Sequence, residues 1–225
     1  ASHVAFSSTR VMATCSTMGQ AAGTAAAFCT KEKCLPRDIA NDPGRLGHYQ
    51  QVLLKDDQSL LNVRNEDRDD LARTATVTAS AETPEGPATN IIDGWNRDIG
   101  DGSTHQWQAP MRGGEPWIQL VWSEPRSLSS IQITFDSGLG RRLFLSGEDS
   151  AYHPQTRGRQ PETVADYVLE ALVDGQWKTL VTVTDNFLRL RRHEFEPVST
   201  SAIRIRVQRT QGDPSARVFE IRCYA

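Results

Sequence analysis

The chain has 225 residues, 38% hydrophobic and 24% charged, with a formal net charge of −3, which is ordinary for a globular protein with one sizeable core or two modest ones. That slightly acidic balance argues against a nucleic-acid partner, because neutralising phosphates needs Lys and Arg in excess on one face. The longest apolar run, Ala21 to Phe28, is interrupted by Gly23 and Thr24 and falls far short of the ~20 residues that cross a bilayer, so no membrane span is expected.

In chain order, a helix is predicted from about Arg10 to Cys29, with the hydroxyls of Ser7, Ser8 and Thr9 available as caps. Gly19, Ala21, Ala22, Gly23 and Ala25 to Ala27 leave little bulk along one flank. Such a helix suits a place where another backbone or a flat ligand must come close. The chain opens without Met, inside what reads as a folded element, which predicts a fragment of something longer. Cys15, Cys29, Cys34 and Cys223 lack the paired spacing of a zinc site. A Cys29–Cys34 disulfide is open in an oxidising compartment, with free buried thiols as the plainer alternative.

The string from His3 to Ala27, with Met18-Gly-Gln-Ala-Ala-Gly23 at its centre, resembles the C-terminal flavin-contacting segment of FAD-dependent oxidoreductases of the glutathione-reductase-like type. The resemblance implies that a helix N-terminus points free N–H groups at the isoalloxazine ring, with Ser8, Arg10, Val11 and Met12 facing it. A helix start presents unpaired donors and partial positive charge, which suits the anionic reduced flavin. The Gly-x-Gly-x-x-Gly fingerprint that would hold the dinucleotide is missing from the sequence. FAD is therefore expected only in an intact protein that includes a separate N-terminal FAD-binding domain as this segment's partner. The structural alternative is a small-residue helix packed against another domain.

Residues 34–74 read as a helical connector. Leu35-Pro36-Arg37-Asp38 resembles a helix start, and Leu46, Tyr49, Gln50 and Leu53 share a helical face. Gln50 to Asp56 is similar to a segment of the same flavoprotein family. Asn65 to Arg73 is highly charged and is expected to be a solvated surface helix or linker.

From Ala75 the pattern changes to strands. Candidates are Ala75 to Ser80, Trp117 to Trp122, Leu128 to Phe135, Arg142 to Leu145, Val164 to Val173, Trp177 to Thr184, Leu188 to Phe195, Ile203 to Gln208 and Arg217 to Cys223. In the central pair, Ile118, Leu120 and Trp122 share one face, as do Ile131, Ile133 and Phe135. Glu124-Pro125 is read as the turn between them, and Gln132 and Thr134 as the wet positions. Asp174-Gly175 reads as a tight hairpin. The predicted fold is mainly β, an antiparallel β-sandwich over residues 75–225 preceded by a helical N-terminal segment, 1–33, and the connector.

The ordered signals Asn90-x-x-Asp93-Gly94, Trp107, Pro116-Trp117-Ile118-Gln119-Leu120, Asp174-Gly-x-Trp177, Ile203-Arg-Ile-Arg206 and Glu220-Ile221 are similar to the galactose-binding-like jelly roll, of discoidin or carbohydrate-binding-module type. That resemblance implies a structural calcium at Asp93 and Glu220, with Asp98, Asp101 and Thr104 nearby. The alternative has Asp93 capping its own turn and Glu220 paired with an arginine. A carbohydrate partner would need aromatic and planar polar groups on loops; Trp95, Arg97 and His105 are the candidates, with Asn96 and Tyr152 beside them. Trp107 and Trp117 are assigned to the core. The long insertion from Ser137 to Thr163, with Arg141, Arg142, Arg157, Arg159 and Tyr152-His153-Pro154, is expected to be a functional loop that docks on the missing flavin domain, or else an excursion without a role. No further catalytic set is evident, and the catalytic residues stay unassigned. Two readings follow: an inactive C-terminal portion of an FAD-dependent oxidoreductase with an accessory sandwich, or a stand-alone carbohydrate-binding module.

Overall fold

The computed structural model describes residues 2–100, 102–141 and 155–225. The candidate strand Arg142 to Leu145, Asp101 and the Tyr152-His153-Pro154 motif lie outside the described residues. The chain divides into two compact units, Ala1–Glu66 and Asp67–Ala225.

The first unit is helical. α1 spans His3–Thr9, α2 Met12–Glu32, α3 Pro36–Asn41 and α4 Pro43–Lys55. A separate helix, α1, ends at Thr9, and the helix predicted from about Arg10 to Cys29 is α2. The hydroxyls expected to cap it bond backward instead: Ser7 Oγ donates to His3 O at 2.9 Å and Thr9 Oγ1 to Ala5 O at 3.2 Å. Side-chain hydroxyls compete for carbonyls in this way wherever they end a helix rather than begin one. α3 and α4 each open on a proline, and Asp42 caps α4 by accepting from the Gly44 and Arg45 N–H groups.

Phe28 of α2 packs edge-on against His48 and Tyr49 of α4, with ring centroids 5.1 and 6.0 Å away. Tyr49 Oη donates to Ala21 O at 2.8 Å. The small-residue stripe therefore lets one side chain reach the α2 backbone at Ala21. At Gly19 and Gly23 no heavy atom comes within 4 Å of where a Cβ would stand, so close packing does not account for those two glycines. Gln51 ties down the segment after α4, accepting from Glu66 N at 2.8 Å and donating to Arg64 O at 3.1 Å. Among the described residues no helix is long and apolar enough to cross a membrane.

The second unit is an antiparallel β-sandwich. Its strands are β1 Thr76–Ala79, β2 Trp107–Pro110, β3 Trp117–Phe135, β4 Val164–Val173, β5 Gln176–Val183, β6 Leu190–Thr210 and β7 Ser215–Tyr224. They follow the order β2-β7-β3-β6-β4-β5, with β1 also paired to β3. β3 and β6 each belong to both layers. The first half of β3 pairs with β1 and the second half of β6, which continues to β4 and β5; the second half of β3 pairs with β7 and the first half of β6.

Glu124-Pro125 is therefore not a hairpin turn between two paired strands. β3 advances from Val121 to Arg126 while β6 advances only from Ala202 to Thr200, so the proline sits in a bulge, where its missing N–H leaves no ladder bond unmade. The two apolar faces read from the sequence are buried as expected: Ile118, Leu120 and Trp122 from one layer meet Ile131, Ile133 and Phe135 from the other in one core. Gln132 and Thr134 are also buried, contrary to the expected wet face. Gln132 lies between its register partners Arg192 and Arg222 and accepts from Arg192 Nε at 3.0 Å, so a polar layer covers this side of the sheet. Trp107 is fully buried, whereas Trp117, also assigned to the core, is only half-buried on the outward face. Asp174 and Gly175 both have positive φ, 52° and 75°, and join Val173 to its partner Gln176, the two-residue turn whose twist matches that of paired strands.

The highly charged stretch at the end of the connector is not solvated throughout. Asp70 is buried, and its carboxylate accepts from Ala72 N at 3.0 Å and from Cys223 N at 2.9 Å. It caps the 3-10 turn Leu71–Thr74 and fixes that turn to β7.

His193 and Tyr167 form a buried pair, Oη to Nε2 2.7 Å. Burial first, then Arg191, pulls the His193 pKa from 6.5 down to about 4. The folded protein keeps this imidazole neutral where the unfolded chain would protonate it, so stability present above pH 6.5 is lost as pH falls toward 4. The span of about 2.5 pH units corresponds to at most about 3 kcal/mol. Thermal melts from pH 7 to 4 should show this acid loss, and His193→Gln should flatten it.

Candidate functional site

The loop at one end of the sandwich is built on the 3-10 turn Ala88–Ile92, whose Ile91 is fully buried in the core. Asn90 closes it by donating from Nδ2 to Thr104 O at 2.9 Å and to Gln106 O at 3.1 Å. Thr104 Oγ1 in turn donates to Glu85 O. Asp93 follows, with Gly94 at φ 90° providing the reversal. One Asp93 oxygen accepts from Trp95 N at 2.8 Å, and the other meets His105 Nδ1 at 2.7 Å. His105 N donates to Asp98 Oδ1 at 2.8 Å, and the Trp95 and His105 rings stand 5.8 Å apart, tilted 52°. Asp93, Trp95 and His105 are thus brought together, and Arg97 lies half-exposed in the same loop.

The carboxylate–imidazole contact orients His105, since the nitrogen that faces Asp93 is best occupied by a proton. The arrangement offers a half-exposed indole beside a fixed ring and a charged group, which is chemistry for stacking and directional hydrogen bonds. Arg189 connects this loop to the sandwich: it donates to Asn96 O and to Phe135 O, the latter at 3.0 Å, with its guanidinium 5.1 Å from the Phe219 ring centroid.

Glu220, the other carboxylate expected at a calcium, lies buried on β7 and accepts from Arg222 Nε at 2.8 Å. Each of the two carboxylates thus has a different basic partner, and Asp93 caps its own turn. Among the described residues no group of three or more His, Cys, Asp or Glu side chains is placed to hold a metal ion. As arranged, the two carboxylates are engaged separately, Asp93 with His105 and Glu220 with Arg222.

A second polar cluster, not singled out from the sequence, closes the base of the long insertion. Arg141 holds Glu162 with two hydrogen bonds of 2.6 and 2.9 Å, and reaches Gln160 Oε1 at 2.5 Å and Thr156 Oγ1 at 3.2 Å. That grip holds the Glu162 carboxyl below its ordinary range, while burial pushes neighbouring Asp136 up. Arg217 bridges Asp136 and Asp213 at 3.6 and 3.1 Å. Gly138 is packed against this cluster. Its φ is 75°, and a Cβ would stand 2.5 Å from Arg141 Nη2 and 3.0 Å from Glu162 Oε2. Of this cluster the sequence marks only Arg141, as one of the arginines of the insertion.

Of the residues expected to face a flavin, Arg10 and Val11 lie in the break between α1 and α2 and Met12 is the first residue of α2. The Ser8 backbone belongs to α1, and its side chain lies outside the described residues. Val11 begins α2 without a side-chain cap, and Val11 and Met12 are exposed. An uncapped start of a long helix beside apolar side chains fits the edge of a planar cofactor ring. The Gly-x-Gly-x-x-Gly pattern that would hold the dinucleotide does not occur in the sequence.

Residues 1–53 match the FAD dependent oxidoreductase family, and residues 70–137 match a domain of unknown function (DUF7402). No curated protein matches the chain. Among solved structures, the sandwich is similar to a family 32 carbohydrate-binding module from Clostridium perfringens in complex with GalNAc-β-1,3-galactose, at 16% identity and TM-score 0.51, covering 69% of this chain and 99% of that one. The family 32 carbohydrate-binding module of Streptococcus pneumoniae EndoD is similar at 17% identity and TM-score 0.51, covering 69% and 98%. Chitosan-binding module 2 from a Paenibacillus sp. IK-5 chitosanase/glucanase, in complex with chitotriose, is similar at 13% and TM-score 0.51, covering 69% and 100%. The chain thus pairs a short segment similar to the oxidoreductase family with a β-sandwich of galactose-binding-like jelly-roll fold.

Replacing Gly138 by Ala should break the Arg141–Glu162 contact and place a Cβ in the left-handed region, at a cost of about 1–3 kcal/mol. Gly140→Ala, with open space around it, should leave the urea midpoint unchanged.

Proposed function

We propose that the chain is the C-terminal part of an FAD-dependent oxidoreductase whose jelly roll serves as an accessory carbohydrate-binding domain. The family match of residues 1–53 carries this reading, supported by the uncapped start of α2 and its exposed Val11 and Met12. In the intact protein, FAD would supply hydride or electron transfer. Residues 1–33 would contribute a surface to it: the α2 N–H groups toward the ring edge, with Ser8, Arg10, Val11 and Met12 alongside. The separate N-terminal domain is the partner that would hold the rest of the cofactor, and this chain alone is expected to be inactive.

The carbohydrate role rests on the loop that joins Asp93, Trp95 and His105, with Arg97 in the same loop. A sugar's apolar face stacks on an indole while its hydroxyls meet planar donors and acceptors. A stand-alone carbohydrate-binding module is the second reading, favoured by the same loop and needing nothing of residues 1–66.

Two titrations separate these. FAD added to this chain should leave the flavin spectrum unchanged, whereas the chain extended through an N-terminal dinucleotide-binding domain should bind FAD and be reduced by a donor. A glycan array probed with this chain should give binding that Trp95→Ala lowers at least tenfold. Glycan binding with no flavin binding by either form would leave the module reading alone standing, and the absence of both would overturn the proposal.

Calcium at Asp93 and Glu220 is a separate proposal, since it would have to draw Asp93 from His105 and Glu220 from Arg222. A rise in Tm with calcium, reversed by chelator and lost in Asp93→Asn, is its expected sign; an unchanged Tm would remove calcium from the account.

A further inference from the structure

The turn that ends α2 is used by neither reading. Lys33 is left-handed (φ 51°, ψ 47°), and the Cys34 N–H donates to the Cys29 carbonyl at 3.1 Å. This six-to-one bond is the mark of a Schellman turn, which presses the side chain just past the helix end against one in its last turn. That contact is commonly hydrophobic; here both residues are cysteines. They are half-buried and unbridged, and the Cys34 side chain interacts directly with the Cys29 thiol. The six-to-one bond draws the two backbones together at the helix end, and a disulfide needs Cα atoms within the usual 4.4–6.8 Å span.

We propose that Cys29 and Cys34 form a disulfide that staples the end of α2 to the start of α3, made by exchange with a small-molecule disulfide such as oxidised glutathione. One thiolate attacks a glutathione sulfur, breaking the S–S bond and releasing one glutathione. The second thiolate attacks the protein-bound sulfur of that mixed disulfide and releases the other. Two protein thiols give up two protons and two electrons, and one disulfide becomes two thiols.

The other two cysteines serve as internal controls. Cys223 is buried, whereas Cys15 is exposed and donates from Sγ to Thr9 O. Around the pair, burial, then Cys34, then Asp38 raise the Cys29 thiol above its ordinary range, and Arg45 opposes them. Closure should therefore speed up with pH, by about tenfold per unit while the thiols remain protonated.

The test is to incubate the 225-residue chain with oxidised glutathione, quench it in acid, unfold it with N-ethylmaleimide and map its peptides without reduction. The expected result is loss of two of the four alkylatable thiols as a Cys29–Cys34 link within one chain, restored by dithiothreitol. Cys29→Ser should instead retain glutathione on Cys34. Alkylation of both residues while Cys15 carries glutathione, stable glutathione on Cys34 in the unsubstituted chain, or a link between two chains would each overturn it.

Discussion

The sandwich depends on the slip between β3 and β6, where β3 runs from Val121 to Arg126 against only Ala202 to Thr200. Both strands are long enough to serve two layers, and the slip lets them turn from one to the other without ending. At a second slip, where β3 runs from Leu128 to Ser130 against Val198 to Glu194, the inward set changes from even positions, ending at Leu128, to odd ones, beginning at Ile131. Strict alternation through nineteen residues would have turned one half of β3 inside out. Trp122 reinforces the corner, with its indole N–H donating to Leu71 O at 2.9 Å.

The candidate sugar loop inherits its position from this frame. Phe135 ends β3 in the core, and Arg189, donating to its carbonyl, also holds Asn96 in the loop. Asp136 comes next and begins the network that reaches Arg141 and Glu162 through Gly138. The candidate loop and the base of the insertion therefore rest on the same strand end. Asp93 then fixes the conformation of its own turn and the orientation of His105 with one carboxylate. A single side chain is shaping both backbone and ring.

Much of this was legible in the sequence wherever the pattern was local. Period-two alternation located both halves of β3, and Asp174-Gly175 announced a turn that needs two positive φ values. The helical face through Tyr49 and Leu53 and the proline starts of α3 and α4 were equally plain. Features set by distant partners were not. Pro125 looked like a turn because nothing local distinguishes a hairpin from a bulge opposite a longer strand. β2 is four residues ending in proline, too short for its alternation to register. Asp70 read as solvated because its partner, the Cys223 N–H, is far away in sequence. The same limit applies at the site: Asp93, Trp95, Arg97 and His105 came from one contiguous loop, whereas Arg141 and Glu162 meet across an insertion. Asp93 and Glu220 were joined by resemblance, while the structure gives each its own neighbour.

The strand order carries a consequence for how molecules meet one another. A sheet's outer strands expose unpaired N–H and C=O groups that can template pairing with a second molecule. Here β2 is very short and closes on Pro110, which has no N–H to give. At the other end β5 carries Lys178, held near Asp174 across the hairpin at 3.8 Å. Brevity and proline on β2, with charge on β5, make these two outer strands poor templates for intermolecular β-pairing.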